Sequence, residues 1–103
     1  MIEYSLIPLE NHLVVNLYGD LDIDSTEVIE EELLPFVSNY KKVHFKFEEV
    51  PFVDSSGMGL LLNLVQTLSE KGIKVKILGI REEIMEVFEL LQLPEILGDG
   101  IFV

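Results

Sequence analysis

The residues best suited to chemistry in this chain are the paired serines of residues 53–59, VDSSGMG. Ser55 and Ser56 follow Asp54 and precede apolar residues at helical spacing, so this segment is expected to begin a helix. A serine at a helix start is exposed, and a phosphate there would be held by free backbone N–H groups and the positive helix end. The simpler alternative is a helix cap, with the glycines allowing close packing of the helix on a sheet.

A second candidate cluster consists of alternating acidic residues, Asp20, Asp22 and Asp24. With Glu31 they approximate the spacing of a calcium loop, but Ser25 occupies the sixth position, where such a loop needs glycine. The Asp-Leu-Asp spacing also resembles an aspartyl-phosphate nucleophile, yet the chain is too short for the rest of such an enzyme. A loop that enters a helix explains the acids better, because carboxylates interact favourably with a helix N-terminus.

Other catalytic chemistry finds little support in the sequence. The chain has no cysteine and only two histidines, His12 and His44, so a zinc site is not expected. A Gly-x-Ser-x-Gly nucleophile elbow is absent, and no glycine-rich phosphate loop accompanies the acidic cluster. We therefore predict a protein that is not an enzyme and needs no cofactor or metal.

The net charge narrows the classes of partner. The 103 residues include 19 acidic and 7 basic side chains, a formal net charge of -12. All seven bases fall within residues 41–81, whereas residues 1–40 contain nine acids and residues 82–103 contain six. Nucleic acid and anionic membranes would be repelled, and a high charge favours a monomer. With an acid in place of a signal peptide's positive start and no apolar run of spanning length, a cytoplasmic location is expected.

Hydrophobic periodicity supplies the elements that would position these residues. Alternation predicts four strands and helical spacing predicts three helices, with a further short edge strand at residues 101–103. The strands are expected at residues 2–6, 13–17, 43–47 and 73–77, and the helices at 25–39, from within 54–56 to 72, and 84–91.

The first helix should begin with a capping box of Asp24 and Glu27, and Pro35 should kink it or end it early. The element order predicts an α/β fold formed by a single domain over residues 1–103. Its sheet should be mixed and mostly parallel, with four to five strands, an initial β-hairpin and a cover of three to four helices.

Three segments carry a further signal: residues 17–22 (LYGDLD), 53–59 (VDSSGMG) and 86–93 (EVFELLQL). They resemble, respectively, the G-E/D-L-D loop, the D-S-S-G-L/M-G signature and the C-terminal helix of the STAS domain family, specifically the bacterial anti-sigma factor antagonists. The resemblance covers essentially the whole chain. It departs from the family at Gln92, where a glycine is often found, and at Pro35.

The resemblance implies a partner-switching regulator. Ser56 matches the phosphorylated serine, and Asp22 matches a position that lies beside that serine and helps to engage the partner. The implied partner is an anti-sigma factor that is also a serine kinase: the unphosphorylated antagonist binds it and frees the sigma factor, ATP-dependent phosphorylation breaks the complex, and a serine phosphatase resets it. The expected partner-binding residues are Asp20, Asp22, Asp54, Ser55, Ser56, Gly57 and Met58.

A second function from another class stays open. The chain would then be a constitutive STAS adaptor, on a lipid-transport ATPase or in a stress-signalling scaffold, with Ser56 serving only as part of a helix cap. For the switch, the -9 charge of residues 1–40 predicts an acidic binding face and a basic partner surface.

Overall fold

A four-stranded mixed sheet forms the centre of the computed structural model, which describes residues 2–98 and 100–103. Strands β1 and β2 form an antiparallel hairpin, and β2, β3 and β4 run parallel to one another. The strand order is β1-β2-β3-β4, which confirms the predicted α/β sheet with its initial hairpin. The bounds are β1 Glu3–Pro8, β2 Leu13–Tyr18, β3 Lys42–Glu49 and β4 Lys74–Leu78.

Helical segments follow β2, β3 and β4. A 3-10 turn, Ile23–Ser25, leads into a π-helical stretch, Val28–Leu33. The α-helices are α1 Leu34–Val37, α2 Ser55–Glu70, α3 Glu82–Leu90 and α4 Leu93–Leu97. The short edge strand expected at residues 101–103 is reduced to a single parallel bridge between Ile77 and Phe102.

The hydrophobic core lies between one face of the sheet and the helices. Along β3, Val43, Phe45 and Phe47 are at most 1% exposed, while the alternate residues His44 and Lys46 lie on the other face and stay partly exposed. Burial of each such apolar side chain stabilises the fold by about 1.5–3 kcal/mol. The period-2 pattern therefore orients the sheet, with one face in the core and the other partly exposed.

The first helical segment is irregular at Pro35 and differs from the prediction in its cap. Pro35 does not end the helix, but the turn before it widens: the N–H of Leu34 donates to the carbonyl of Ile29, five residues back. The expected capping box of Asp24 and Glu27 is wrong. The capping box belongs to the 3-10 turn and pairs Asp22 with Ser25.

The C-terminal helical region is split at Gln92. The third predicted helix is α3, and a separate helix, α4, follows because Gln92 adopts a left-handed conformation with φ of 61°. Pro94 is compatible with α4 because it lies in its first turn, where no helical N–H bond is lost. The left-handed backbone gives a physical reason for the glycine that the resemblance associates with this position.

Candidate functional site

The start of α2 is built by Asp54. Its backbone is extended (φ -91°, ψ -175°), and its carboxylate accepts a 2.8 Å hydrogen bond from the N–H of Gly57. Its carbonyl accepts the first helical hydrogen bond, from Met58, at 2.9 Å. Ser55 and Ser56 form the first turn, where backbone N–H groups precede the helical ladder. The predicted start of the helix within residues 54–56 is thereby confirmed.

The acidic loop after β2 lies against this helix start. The N–H of Leu21 donates to the carbonyl of Phe52 at 2.9 Å, and the N–H of Asp54 donates to the carbonyl of Leu21 at 3.2 Å. Leu21 and Val53 thus form a parallel bridge. Because Asp20 and Asp22 flank Leu21 in the chain, the bridge brings the two segments singled out in the sequence together.

Gly57 fixes the separation of the loop and the helix. A Cβ atom at this position would overlap the carbonyl oxygen of Leu21 and would lie 3.1 Å from Cγ1 of Val53. Gly57 is buried, whereas Gly59 faces open space. Of the two glycines expected to allow close packing, only Gly57 does so, and Gly59 leaves the helix surface clear.

Ser25 holds the acidic loop in shape. Its side chain is fully buried, and its hydroxyl donates to the carbonyl of Asp20 at 3.2 Å and accepts from the N–H of Asp22 at 3.1 Å. The carboxylate of Asp22 accepts from the N–H of Asp24 at 3.0 Å. These hydrogen bonds give polar groups of the loop partners within the loop itself. Within residues 2–98 and 100–103 no three His, Asp or Glu side chains are grouped so as to hold a metal ion.

The resulting surface combines acidic and apolar groups. Ser55 is exposed and Ser56 is half-buried. Two apolar side chains that the sequence reasoning did not single out, Ile23 and Phe52, are 65% and 51% exposed. Ile23 stands between two aspartates and Phe52 stands directly after a proline, but neither local pattern indicates that the side chain is exposed. We call this the loop–helix surface, and it consists of Asp20, Asp22, Ile23, Phe52, Asp54, Ser55, Ser56 and Met58.

The structure thus places every predicted site residue at or beside one junction. Asp20 and Ser55 are exposed, Asp22, Asp54, Ser56 and Met58 are half-buried, and Gly57 is buried under Leu21. Gly57 therefore supports the surface and offers no side chain to a partner. Across the described parts of the chain, no helix is both long and apolar enough to cross a membrane.

This fold is that of a known family. A model of the STAS domain matches residues 6–102, so the chain belongs to the STAS domain family. A relative, the anti-sigma-B factor antagonist of Bacillus subtilis (strain 168), is 25% identical over 88 residues, which are 85% of this chain and 81% of the relative. The resemblance drawn from the sequence motifs is thereby confirmed.

Solved structures agree with this assignment. The unphosphorylated form of the anti-sigma factor antagonist SpoIIAA matches with a TM-score of 0.67 and 25% identity, over 85% of this chain and 83% of that one. The phosphorylated form of the Bacillus cell fate determinant SpoIIAA matches in fold with a TM-score of 0.70 and 22% identity, over 98% and 89% of the two chains.

Proposed function

We propose that this chain is an anti-sigma factor antagonist whose binding to a serine-kinase anti-sigma factor is switched off by phosphorylation of Ser56. The observation that carries the proposal is the seating of the acidic loop against the first turn of α2, through Leu21 and Gly57. Support also comes from the relatives named above, which are anti-sigma factor antagonists.

The charge of the loop–helix surface explains how a phosphate would act. A phosphoserine carries about -1.5 to -2 charges, and at Ser56 these would lie within two residues of the Asp54 carboxylate. The N–H groups of the first turn would hold the phosphate in place, so the domain need not refold. At a partially desolvated interface, the added repulsion costs several kcal/mol, which is enough to release a partner.

Access to Ser56 favours modification by another protein. Side chains three residues apart share one helix face, and the residue three positions after Ser56 is Gly59, which has open space around it. A kinase active site can therefore approach along this face. The kinase supplies ATP, so the antagonist itself needs no nucleotide site, and a serine phosphatase restores the binding form.

The apolar groups of the surface supply affinity in the unphosphorylated state. Ile23 and Phe52 flank the bridge between Leu21 and Val53, and both are more than half exposed. Burial of two such side chains would stabilise a complex by a few kcal/mol, at about 25 cal/mol per Å². The partner is therefore expected to present a basic surface with an apolar centre. We further propose that the chain acts as a monomer in the cytoplasm and forms one domain.

Phosphate mapping tests this function. The protein is incubated with its cognate anti-sigma kinase and ATP, and the phosphorylated residue is identified by mass spectrometry. Wild type and the control variant Ser55→Ala should carry phosphate on Ser56, and Ser56→Ala should carry none. Modification of Ser55 in place of Ser56, or no modification of the wild type, would count against the proposal.

A further inference from the structure

The open face of the sheet carries most of the positive charge of this acidic chain. Up to Lys46 in β3 and Lys76 in β4, the residues that alternate with the buried positions are lysines and a histidine. They account for four of the seven Lys and Arg residues of the chain. We call this group the basic strip, and its members are Lys42, His44, Lys46, Lys74 and Lys76.

Cross-strand register places basic residues opposite one another in this strip. Lys42 pairs with Lys74, which sets two positive charges side by side, and His44 pairs with Lys76. The ring of His12 packs on His44 with centroids 4.3 Å apart. Like charges directly opposite in a sheet destabilise it. An anionic group laid over the strip would relieve this repulsion.

The dimensions of the strip limit what fits it. From Lys42 to Lys46 it extends roughly 13 Å along β3, at about 3.3 Å per residue. Beyond Lys46 the surface becomes acidic, in a shallow cavity of about 330 Å³ that Glu48 and Glu49 help to line. An extended anionic ligand, such as nucleic acid or an anionic membrane surface, would reach beyond the strip and meet the carboxylates of Glu48 and Glu49. A short anionic segment would not.

We propose that the basic strip docks a short acidic polypeptide segment of a second partner protein. The positive charge of the strip favours an anionic ligand, and its limited length favours a short one. A few carboxylates on an extended polypeptide chain meet both conditions. The strip lies on the sheet face opposite the core, whereas the loop–helix surface lies at the start of α2. The protein would thus hold a basic partner and an acidic partner on separate surfaces of opposite charge.

Fluorescence anisotropy tests the proposal with a labelled peptide of about six residues, mostly glutamate, and a glutamine peptide of equal length. The wild type should bind the glutamate peptide and not the glutamine peptide. The double variant Lys42→Gln/Lys74→Gln should lose affinity by roughly fivefold to tenfold, as expected for two exposed ion pairs. The control Lys41→Gln/Lys71→Gln changes the net charge equally but lies outside the strip, and it should change affinity less than about twofold.

The remaining outcomes are equally decisive. Equal losses in the two double variants, or no binding of the glutamate peptide by wild type, would overturn the proposal. Tighter binding of a single-stranded oligonucleotide or of vesicles containing phosphatidylserine would show the partner class to be wrong. Self-association in sedimentation that Lys42→Gln/Lys74→Gln abolishes would identify the occupant as a second copy of the chain. Phosphorylation of Ser56 should proceed normally in Lys42→Gln/Lys74→Gln, so this test and that of the proposed function fail independently.

Discussion

The backbone of Gly57 lies directly against the carbonyl group of Leu21, and a side chain at position 57 would overlap it. The contact joins the acidic loop after β2 to the first turn of α2, although the two residues are 36 positions apart in the chain. The same carbonyl oxygen accepts the N–H of Asp54 at 3.2 Å. A charge placed on Ser56 therefore acts on a loop that is held in a fixed position.

Alanine substitutions at the two glycines of α2 should have opposite effects. Gly57→Ala forces a methyl group into Leu21 and should lower the free energy of unfolding by about 1–3 kcal/mol, the usual cost of overpacking. Gly59→Ala, the matched control, enters open space within a helix and should raise it by about 0.5–1 kcal/mol. Urea denaturation measures both values. Equal effects of the two substitutions would show that the contact with Leu21 is unimportant.

Removal of the Ser25 hydroxyl should destabilise the acidic loop. Ser25→Ala leaves the carbonyl of Asp20 and the N–H of Asp22 without their buried partner, which costs about 1–3 kcal/mol. Ser69→Ala, at an exposed position of α2, should change stability by less than about 0.5 kcal/mol. Denaturation and amide hydrogen exchange of residues 20–25 report the change. Unchanged exchange in Ser25→Ala would mean that other contacts hold the loop.

The stability of the fold should fall as the solution becomes acidic, in part because of His44. Burial lowers the pKa of His44 below its ordinary value of 6.5, and the nearby His12, Lys42 and Lys76 lower it further. The unfolded chain therefore binds a proton more readily, so this contribution to stability is complete above the ordinary pKa, begins to be lost as the pH falls below it, and is gone once the pH has passed the lowered pKa of the folded protein. His44→Gln should show a smaller decrease in unfolding free energy from about pH 7 to about pH 5. Parallel pH profiles for the variant and the wild type would contradict this.

Replacement of Gln92 by glycine should stabilise the protein. The left-handed backbone at this position, with φ of 61°, strains any residue with a side chain. Gln92→Gly should raise the free energy of unfolding by up to about 1 kcal/mol, after allowance for the greater entropy of the unfolded chain. Gln92→Ala keeps the strain and should bring no gain. A gain of equal size in both variants would point to a cause other than the backbone conformation.

Regular alternation and capping chemistry made much of the fold predictable. The strand that contains Val43 and Phe45 follows from period-2 burial, and the start of α2 follows from Asp54 as a helix cap. Elements whose form depends on distant contacts were harder to predict from the sequence. Asp22 and Asp24 each stand three residues before a residue that could complete a capping box. The structure uses Asp22, which is consistent with the bridge that fixes Leu21 beside Val53.

The candidate site was likewise predictable from the sequence only in part. The two segments that form it were recognisable from their residues, because a serine pair at a helix start and an acidic loop each have a characteristic pattern. Their contact through Gly57 was not, because only the folded chain brings Leu21 beside it. The exposure of Ile23 and Phe52 likewise depends on what surrounds them, and the local pattern carries no such information.

Calorimetric titration of the cognate anti-sigma kinase with the two phosphorylation states tests the switch most directly. The unphosphorylated protein and Ser56→Ala should bind equally well, with an affinity that decreases as salt is added because the loop–helix surface is acidic. The protein fully phosphorylated on Ser56 should bind at least about a hundredfold more weakly, corresponding to several kcal/mol of repulsion. Equal affinity of the phosphorylated and unphosphorylated forms would contradict the account.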